Sequence, residues 1–228
     1  MDTPPLTLVI GDKALSSWSL RPWLAMKRAG IAFAEAHVAL RRGAETTAAC
    51  LAHGPSGMVP VLKWGDEIIW DSLAILETLA DRLPGARLWP DDWAARAHGR
   101  AIAAEMHSGF RALRANMPMA CLDERPGDGM GDGVAADIAR IVALWNEARG
   151  RFGEAGGGPF LLGAFSIADA MYAPVVSRFV TYRPDLVALG DRDGLARAYM
   201  ETIWAMPEIH EWIAGARTEQ AAGRSGPS

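Results

Sequence analysis

Three serines, Ser16, Ser17 and Ser19, lie within four consecutive positions just after an apolar run that predicts a strand. A hydroxyl immediately before a helix can cap the free backbone N–H groups, or it can donate a hydrogen bond to an anion held there. A thiolate bound at such a place would be further stabilised by the helix dipole, which lowers thiol pKa values at helix N-termini. For any one serine taken alone, capping is the more common explanation.

A second stretch, about forty residues further on, combines a proline with an acid–hydroxyl pair. Val59-Pro60 opens a predicted strand, where proline removes one ladder donor and belongs at an edge or in a special turn. A cis bond there would leave backbone groups free for an extended peptide, although trans is the commoner state. Asp71-Ser72 then opens a helix, whose N-terminus favours a carboxylate, while the aspartate can hold an ammonium group or act as a cap. Together with the serines, these residues predict a site for a small thiol peptide.

The elements that must position these residues follow a βαβαββα order in the first 84 residues. Apolar runs, helical periodicity and glycine stops predict the first part of the fold. The predicted elements are strand 6–10, helix 20–29, strand 34–40, helix 46–53, strands 59–63 and 67–70, and helix 72–83. Everything after a short linker is predicted to be helical, with a long helix over 93–116, a helix over 134–152 and further helices starting near 166, 193 and 207.

The composition is typical of a globular protein and argues against some partners. Half of the 228 residues are apolar and 22% are charged, with a net charge of -4. This balance disfavours nucleic acid or an anionic membrane as the main partner. We see neither a membrane-spanning run nor a secretory signal, and the two cysteines, Cys50 and Cys121, have no metal-like spacing. These features predict a cytoplasmic protein without a metal.

The order of hydroxyl, Val-Pro and acid-Ser resembles that of the cytosolic glutathione transferases. The resemblance covers nearly the whole chain and includes the Phe165-to-Asp169 segment, where Ser166 and Asp169 have capping-box spacing. It implies an α/β thioredoxin-like glutathione-binding domain at 1–84, a linker at 85–92, an all-helical substrate domain at 93–222 and a flexible tail at 223–228. It also implies a homodimer with a role in detoxification.

Within that family, Ser16 to Arg21 resembles the serine motifs of the zeta and tau classes. The resemblance implies that Ser16, or else Ser17, hydrogen-bonds the glutathione sulfur. Neither Ser16 nor Ser19 is a cysteine, so a dithiol–disulfide cycle at these positions is excluded. Trp18 replaces the cysteine of the zeta motif, which counts against maleylacetoacetate isomerase activity and narrows the second-substrate pocket.

The remaining binding residues are also assigned by the resemblance. Glutathione would be the co-substrate. It would contact the segment Met58-Val59-Pro60, with the Val59 backbone pairing with its cysteinyl part, while Asp71 and Ser72 hold the γ-glutamyl end. Trp18 would contact glutathione and also border the pocket for the electrophile.

His107 and Arg111 are candidates for the electrophile pocket, since a spacing of four puts them on one face of the predicted long helix. A solvated or interface face is the alternative for these two residues. The sequence thus predicts a serine-type glutathione transferase acting on a small electrophile. A glutathione-dependent cis–trans isomerase of a maleyl-type substrate and a non-catalytic glutathione-binding protein remain the alternatives.

Overall fold

The computed structural model describes residues 5–223 and contains a mixed sheet followed by an all-helical region. The first part alternates strands and helices in the predicted βαβαββα order. Its elements are β1 (Leu6–Gly11), α1 (Ser17–Arg28), β2 (Ala34–Val38), α2 (Ala44–Leu51), β3 (Val61–Trp64), β4 (Glu67–Trp70) and α3 (Ser72–Arg82). A 3-10 turn at Pro84–Ala86 leads out of α3.

The sheet has four strands in the order β2-β1-β3-β4. β1 pairs in parallel with β2 and antiparallel with β3, and β3 forms an antiparallel hairpin with β4. The interior position of β1 in the sheet explains its apolar run Leu8-Val9-Ile10, because all three side chains are fully buried. The thioredoxin-like topology brings the C-terminal end of β1 and the start of β3 to neighbouring positions.

The second part consists of helices only, apart from turns and isolated bridges. Its elements are α4 (Trp93–Ser108), α5 (Arg111–Asn116), α6 (Val134–Ala148), α7 (Ile167–Tyr182), α8 (Leu195–Trp204) and α9 (Pro207–Ala221). A π-helical turn, Arg149–Gly153, continues α6. α7 is buried along almost its whole length and packs against α1, so it joins the two parts through an apolar interface.

The prediction of one continuous helix over 93–116 is wrong, because the chain breaks between α4 and α5. Gly109 ends α4, and Phe110 takes a left-handed conformation with φ of 56°. The Arg114 guanidinium donates to the carbonyl oxygens of Met106, His107 and Gly109, which have lost their helical partners at this end. The side chains that a straight helix would align on one face therefore point in different directions.

The pair Asp91-Asp92 offers two possible caps for the helix that follows, and the structure uses Asp92, while the capping box expected at Ser166 and Asp169 is confirmed. Asp92 Oδ1 accepts a hydrogen bond of 2.7 Å from the Ala95 N–H at the start of α4. The Asp169 carboxylate accepts the Ser166 N–H at 2.8 Å, which completes a reciprocal capping box at the start of α7. The predicted limits of the two domains remain predictions, and the tail at 223–228 lies, apart from Gly223, outside the described residues.

None of the helices in residues 5–223 is long and apolar enough to cross a membrane.

Candidate active site

The serine motif opens α1, and its hydroxyl groups form a small network beneath the helix N-terminus. Ser16 is the N-cap, and its Oγ accepts the Ser19 N–H at 3.3 Å. The Ser16 and Ser19 hydroxyl oxygens are 2.7 Å apart, and Ser19 Oγ also accepts the Gly11 N–H at 3.1 Å. Ser19 Oγ has two acceptor sites and one donor, so besides accepting the Gly11 N–H it can accept the Ser16 proton, as the structure has it, or, after rotation of both hydroxyls, donate its own proton to Ser16. In the second arrangement, the Ser16 proton is available to an anion at the end of the helix.

Ser17 is the first residue of α1 and lies beside this network without joining it. Its side chain makes no hydrogen bond within residues 5–223, and both Ser16 and Ser17 are buried, at 5% and 6% exposure. The capping role expected for an isolated serine therefore falls to Ser16. Capping uses its acceptor capacity and leaves its donor free, so capping and anion binding are compatible in the same residue.

A cavity of about 330 Å³ lies beside the motif and brings together the predicted glutathione-binding residues. The Val59–Pro60 peptide bond in its wall is cis. The wall is formed by Trp18, Ser56, Met58, Val59, Pro60, Trp70, Asp71 and Ser72. Ser16 and Ser17 are not part of this wall, so a ligand in the cavity would have to extend past Trp18 to meet them.

Asp71 and Ser72 occupy the N-terminus of α3, as predicted. Asp71 is the N-cap, has φ of 69°, and accepts the Leu73 N–H at 2.8 Å through Oδ1. Its other oxygen, Oδ2, lies 3.5 Å from His107 Nε2, so α4 of the helical region reaches the same end of the cavity. Oδ1 of Asp71 thus caps α3, while Oδ2 faces the His107 imidazole, which a group of a ligand could replace.

Trp18, which lines the cavity, is enclosed by basic side chains. The Arg21 guanidinium carbon is 4.2 Å from the indole centroid, and that of Arg114 is 5.0 Å from it. His107 meets the same ring edge-on at a centroid distance of 5.3 Å. These cation–π contacts fix the indole plane, which forms the boundary between the cavity and the helical region.

Arg21 is fully buried and has only part of its hydrogen-bonding capacity satisfied. Its Nη1 donates to Ser72 Oγ at 3.2 Å, while Nε and Nη2 have no partner within residues 5–223. Burial lowers the pKa of Arg21 well below its ordinary value, the charges of Arg114 and Arg178 lower it further, and Asp71 opposes them. The wall of the cavity therefore has an excess of positive charge close behind it, which favours an anionic ligand.

The two predicted pocket residues on the helical side have different positions. His107 contacts both Trp18 and Asp71, so it lies at the cavity. Arg111 begins α5 beyond the helix break and is exposed, with no hydrogen bond or ion pair described in residues 5–223. Arg114 takes the place expected for Arg111.

That Arg21 and Arg114 contact Trp18 was not predicted from the sequence. The spacing of Trp18 and Arg21 is a recognisable signal, since residues three apart are neighbours on a helix. Nothing in the sequence indicates the position of Arg114, because it depends on the break after α4. A larger groove of about 840 Å³ lies at the linker and the loop before α7, away from all predicted site residues.

The family assignment follows from comparison with known proteins. A family model described as "Glutathione S-transferase, N-terminal domain" matches residues 15–82, and one described as "Glutathione S-transferase, C-terminal domain" matches residues 91–215. Together these matches span most of the chain. The chain belongs to the glutathione S-transferase family.

Two curated relatives match parts of the chain. Glutathione S-transferase 1 of Dianthus caryophyllus is 39% identical over 84 residues, which cover 37% of this chain and 38% of the relative. Glutathione S-transferase L3 of Arabidopsis thaliana is 26% identical over 132 residues, or 58% of this chain and 49% of the relative. The chain thus spans half the length of these relatives or less.

Solved structures share the fold at low sequence identity. Poplar glutathione transferase F1 has a TM-score of 0.71 and 17% identity, covering 94% of this chain and 99% of its own. A glutathione transferase homolog from Burkholderia, with bound glutathione, has a TM-score of 0.67 and 21% identity, covering 94% and 98%. These likenesses support the two-part thioredoxin-like and helical architecture.

Proposed function

We propose that this protein is a glutathione transferase that activates the glutathione thiol through the Ser16 hydroxyl and transfers the thiolate to a small electrophile. The observation that carries the proposal is the cavity between Val59-Pro60 and Asp71-Ser72, which is backed by the unsatisfied charge of Arg21. The Burkholderia homolog that shares the fold holds glutathione, which supports the choice of ligand.

The charges of glutathione match this cavity. Its γ-glutamyl end carries a carboxylate and an ammonium group, and the cavity places the N-terminus of α3 and the Asp71 carboxylate close together. Because Arg21 donates to Ser72 Oγ, the Ser72 proton is free to bind the ligand carboxylate. Asp71 Oδ2 would take the ammonium group.

In the proposed chemistry, the thiol proton of bound glutathione passes to solvent and leaves a thiolate at the N-terminus of α1. The Ser16 O–H donates to the sulfur, and Ser19 supports Ser16 from behind. The helix dipole and the hydroxyl both stabilise the anion and so lower the pKa of the thiol. The sulfur then forms a bond to an electrophilic carbon, and the leaving group departs with its electron pair.

The decisive measurement is the ultraviolet difference spectrum of bound glutathione across pH, combined with turnover of an activated aryl halide. A thiolate band about two pH units below the titration of free glutathione supports the proposal. Binding without that band indicates a carrier, and turnover of a maleyl-type substrate without glutathione consumption indicates an isomerase. If glutathione does not bind at all, the proposed function is wrong.

Ser16→Ala and Ser17→Ala form the matched pair for assigning the hydroxyl. We expect Ser16→Ala to lower turnover by about a hundredfold, as removal of a donor to a reacting anion does in other enzymes. Ser17→Ala should retain turnover within about threefold, because its hydroxyl lies outside the Ser16–Ser19 network. The reverse order of effects would assign the role to Ser17.

We also propose that the protein acts in the cytoplasm as a homodimer. Both cysteines are unpaired, which fits a reducing compartment. Several large apolar side chains are exposed on the sheet side: Leu51, Met58, Ile68 and Trp70. Such a group of side chains fits an interface between two copies, and light scattering after size-exclusion chromatography would measure the mass directly.

A further inference from the structure

The position of Ser16 is set by the loop between β1 and α1. The carbonyl oxygen of Asp12 accepts the Leu15 N–H at 3.0 Å and the Ser16 N–H at 2.8 Å. The backbone of this loop therefore determines where the Ser16 hydroxyl lies. The Lys13 side chain donates to Glu35 of β2, but the backbone groups of Lys13 and the Ala14 carbonyl oxygen pair with residues outside the sheet.

Cys121 donates its N–H to the Ala14 carbonyl oxygen and its Sγ to the Lys13 carbonyl oxygen, and the last helix supplies the other partners of the Lys13 backbone. Trp212 Nε1 donates to the Lys13 carbonyl oxygen at 2.7 Å, and Glu219 Oε2 accepts the Lys13 N–H at 2.8 Å. Both backbone groups of Lys13 are thus paired with side chains of α9, about 200 residues later in the chain. Trp212 is 1% exposed and Glu219 is 3% exposed, so water does not compete for these bonds.

One face of α9 packs closely against the Lys13 side chain. Trp212, Gly215 and Glu219 are spaced by three and four residues, so they lie on one helix face. A Cβ atom on Gly215 would lie 2.7 Å from Lys13 Cδ, which shows that the lysine stem packs directly on the helix backbone. Only glycine allows this close approach without a shift of the lysine side chain.

The charges around Glu219 are arranged to keep it in place. Lys13 Nζ lies 3.8 Å from Glu219 Oε1, and His37 Nε2 lies 3.9 Å from Oε2. The same His37 nitrogen is 2.9 Å from Asp12 Oδ1. The buried carboxylate of α9 is therefore tied both to the backbone and to the side chains around the loop.

We infer that Trp212 and Glu219 are positioning residues that hold the Lys13 backbone and thereby aim the Ser16 hydroxyl. This inference rests on the proposed function, because the consequence concerns the thiolate that Ser16 would stabilise. α9 makes no described hydrogen bond to the cavity wall or to Ser16; it reaches Ser16 through the Lys13 backbone, and it also packs on α1, where the Trp212 and Trp23 ring centroids are 5.0 Å apart. Misplacing a donor to a reacting atom by about 1 Å can cost about a hundredfold in rate.

The test uses substitutions in the full chain that remove one hydrogen bond at a time. Trp212→Phe removes the indole donor together with part of the ring that packs against Trp23, and Glu219→Met removes the acceptor and its charge at similar length. Glu219→Gln keeps an acceptor for the Lys13 N–H and serves as the conservative rescue. Glu211→Met is the matched control, because Glu211 also ties α9 to the first domain, through Lys27, but contacts no part of the loop.

Three quantities should be measured in each variant: hydrogen exchange of the peptide spanning 12–17, the pH midpoint of the thiolate band, and kcat with KM for glutathione. Trp212→Phe and Glu219→Met should exchange faster in that peptide, raise the midpoint by about one pH unit and lower kcat about tenfold. KM should change by less than about twofold, since the cavity wall is intact. Glu219→Gln and Glu211→Met should behave like the unsubstituted protein.

Unchanged exchange in folded Trp212→Phe and Glu219→Met overturns the inference, and so does an equal effect from Glu211→Met. Faster exchange with unchanged kcat and midpoint also overturns it, because the contact is then purely structural. Failure of the proposed function has a different signature, since the unsubstituted protein itself would then lack the thiolate band. In that case the exchange comparison alone decides whether α9 holds the loop.

Discussion

The Trp18 indole and the Arg21 guanidinium are stacked, with the guanidinium carbon 4.2 Å from the ring centroid. Trp18 forms the cavity wall and Arg21 lies fully buried behind it. The ring therefore covers a cation whose Nε and Nη2 lack partners within the described residues. This pair gives the cavity wall an apolar surface and a positive electrostatic potential.

Arg21→Met should separate stability from ligand binding. Burying an incompletely paired charge is costly, so the substitution should leave the free energy of unfolding unchanged or raise it by about 1 kcal/mol. The affinity for glutathione should fall about tenfold, because the positive charge behind Ser72 is lost. Urea unfolding and calorimetric titration measure the two effects.

Arg178→Met is the matched control, since Arg178 is also buried but donates to the carbonyl oxygens of Met117 and Pro174. Its loss should destabilise the fold by about 2 kcal/mol, because it leaves buried carbonyl groups unpaired. If both variants lose the same free energy of unfolding, the expectation that Arg21 contributes less to stability than Arg178 is wrong.

His107→Leu and Arg111→Leu should differ, although both were candidates for the same pocket. His107 contacts Trp18 and Asp71, so its loss should change KM for glutathione or the electrophile about fivefold. Arg111 is exposed beyond the helix break, and its loss should leave both constants within about twofold. Steady-state kinetics with varied glutathione and varied electrophile separate the two constants; equal effects would contradict the arrangement.

Asp169 should give the fold an unusual pH dependence. Burial raises the pKa of Asp169 to about 6, although hydrogen bonds from Leu161 and Ser166 oppose the shift. An unfolded aspartate titrates near 3.9, so the folded state binds more protons between about pH 4 and pH 6. The stabilisation that comes from tighter proton binding by folded Asp169 is therefore complete below about pH 4 and is lost as pH rises through about 6.

The measurement is urea unfolding of the unsubstituted protein and Asp169→Asn at several pH values across that window. The stability of the unsubstituted protein relative to Asp169→Asn should decline from about pH 4 to about pH 6 and then level off. A difference that is constant, or that grows with pH, would show that the capping box does not retain its proton in this way.

Cys121 should be chemically inert in the folded protein. Burial raises the pKa of its thiol to about 12, and its Sγ donates to the Lys13 carbonyl oxygen at 3.7 Å. The thiolate fraction at about pH 8 is then on the order of one in ten thousand. Iodoacetamide should label Cys121 only after unfolding in urea, as read by mass spectrometry; rapid labelling of the native protein would contradict this assignment.

The sequence predicted those parts of the site that depend on local signals. The caps at Asp92 and Ser166 have short-range spacing and were found where expected. The βαβαββα order of elements also followed from turn chemistry and apolar periodicity, whereas the wall residues from Met58 to Ser72 were assigned by the family resemblance. The caps and the order of elements need no knowledge of distant residues.

The missed features depend on how segments far apart in the chain meet. Gly109 is tolerated inside many helices, so its presence alone did not predict the break before Arg111. That break places Arg114 over Trp18, which no periodicity could indicate. The pairing of Lys13 with Trp212 and Glu219 could not be predicted from the sequence, because these residues are far apart in the chain.

The hydrogen bonds between the Lys13 backbone and α9 have a consequence for the order of events during synthesis. The β1–α1 loop leaves the ribosome about 200 residues before its partners on α9 do. The residues of the sheet and of the cavity wall are therefore synthesised before α9 can hold the loop through the Lys13 backbone. Under the proposed function, the cavity would then be complete, and able to bind glutathione, before Ser16 is held in the position that stabilises the thiolate.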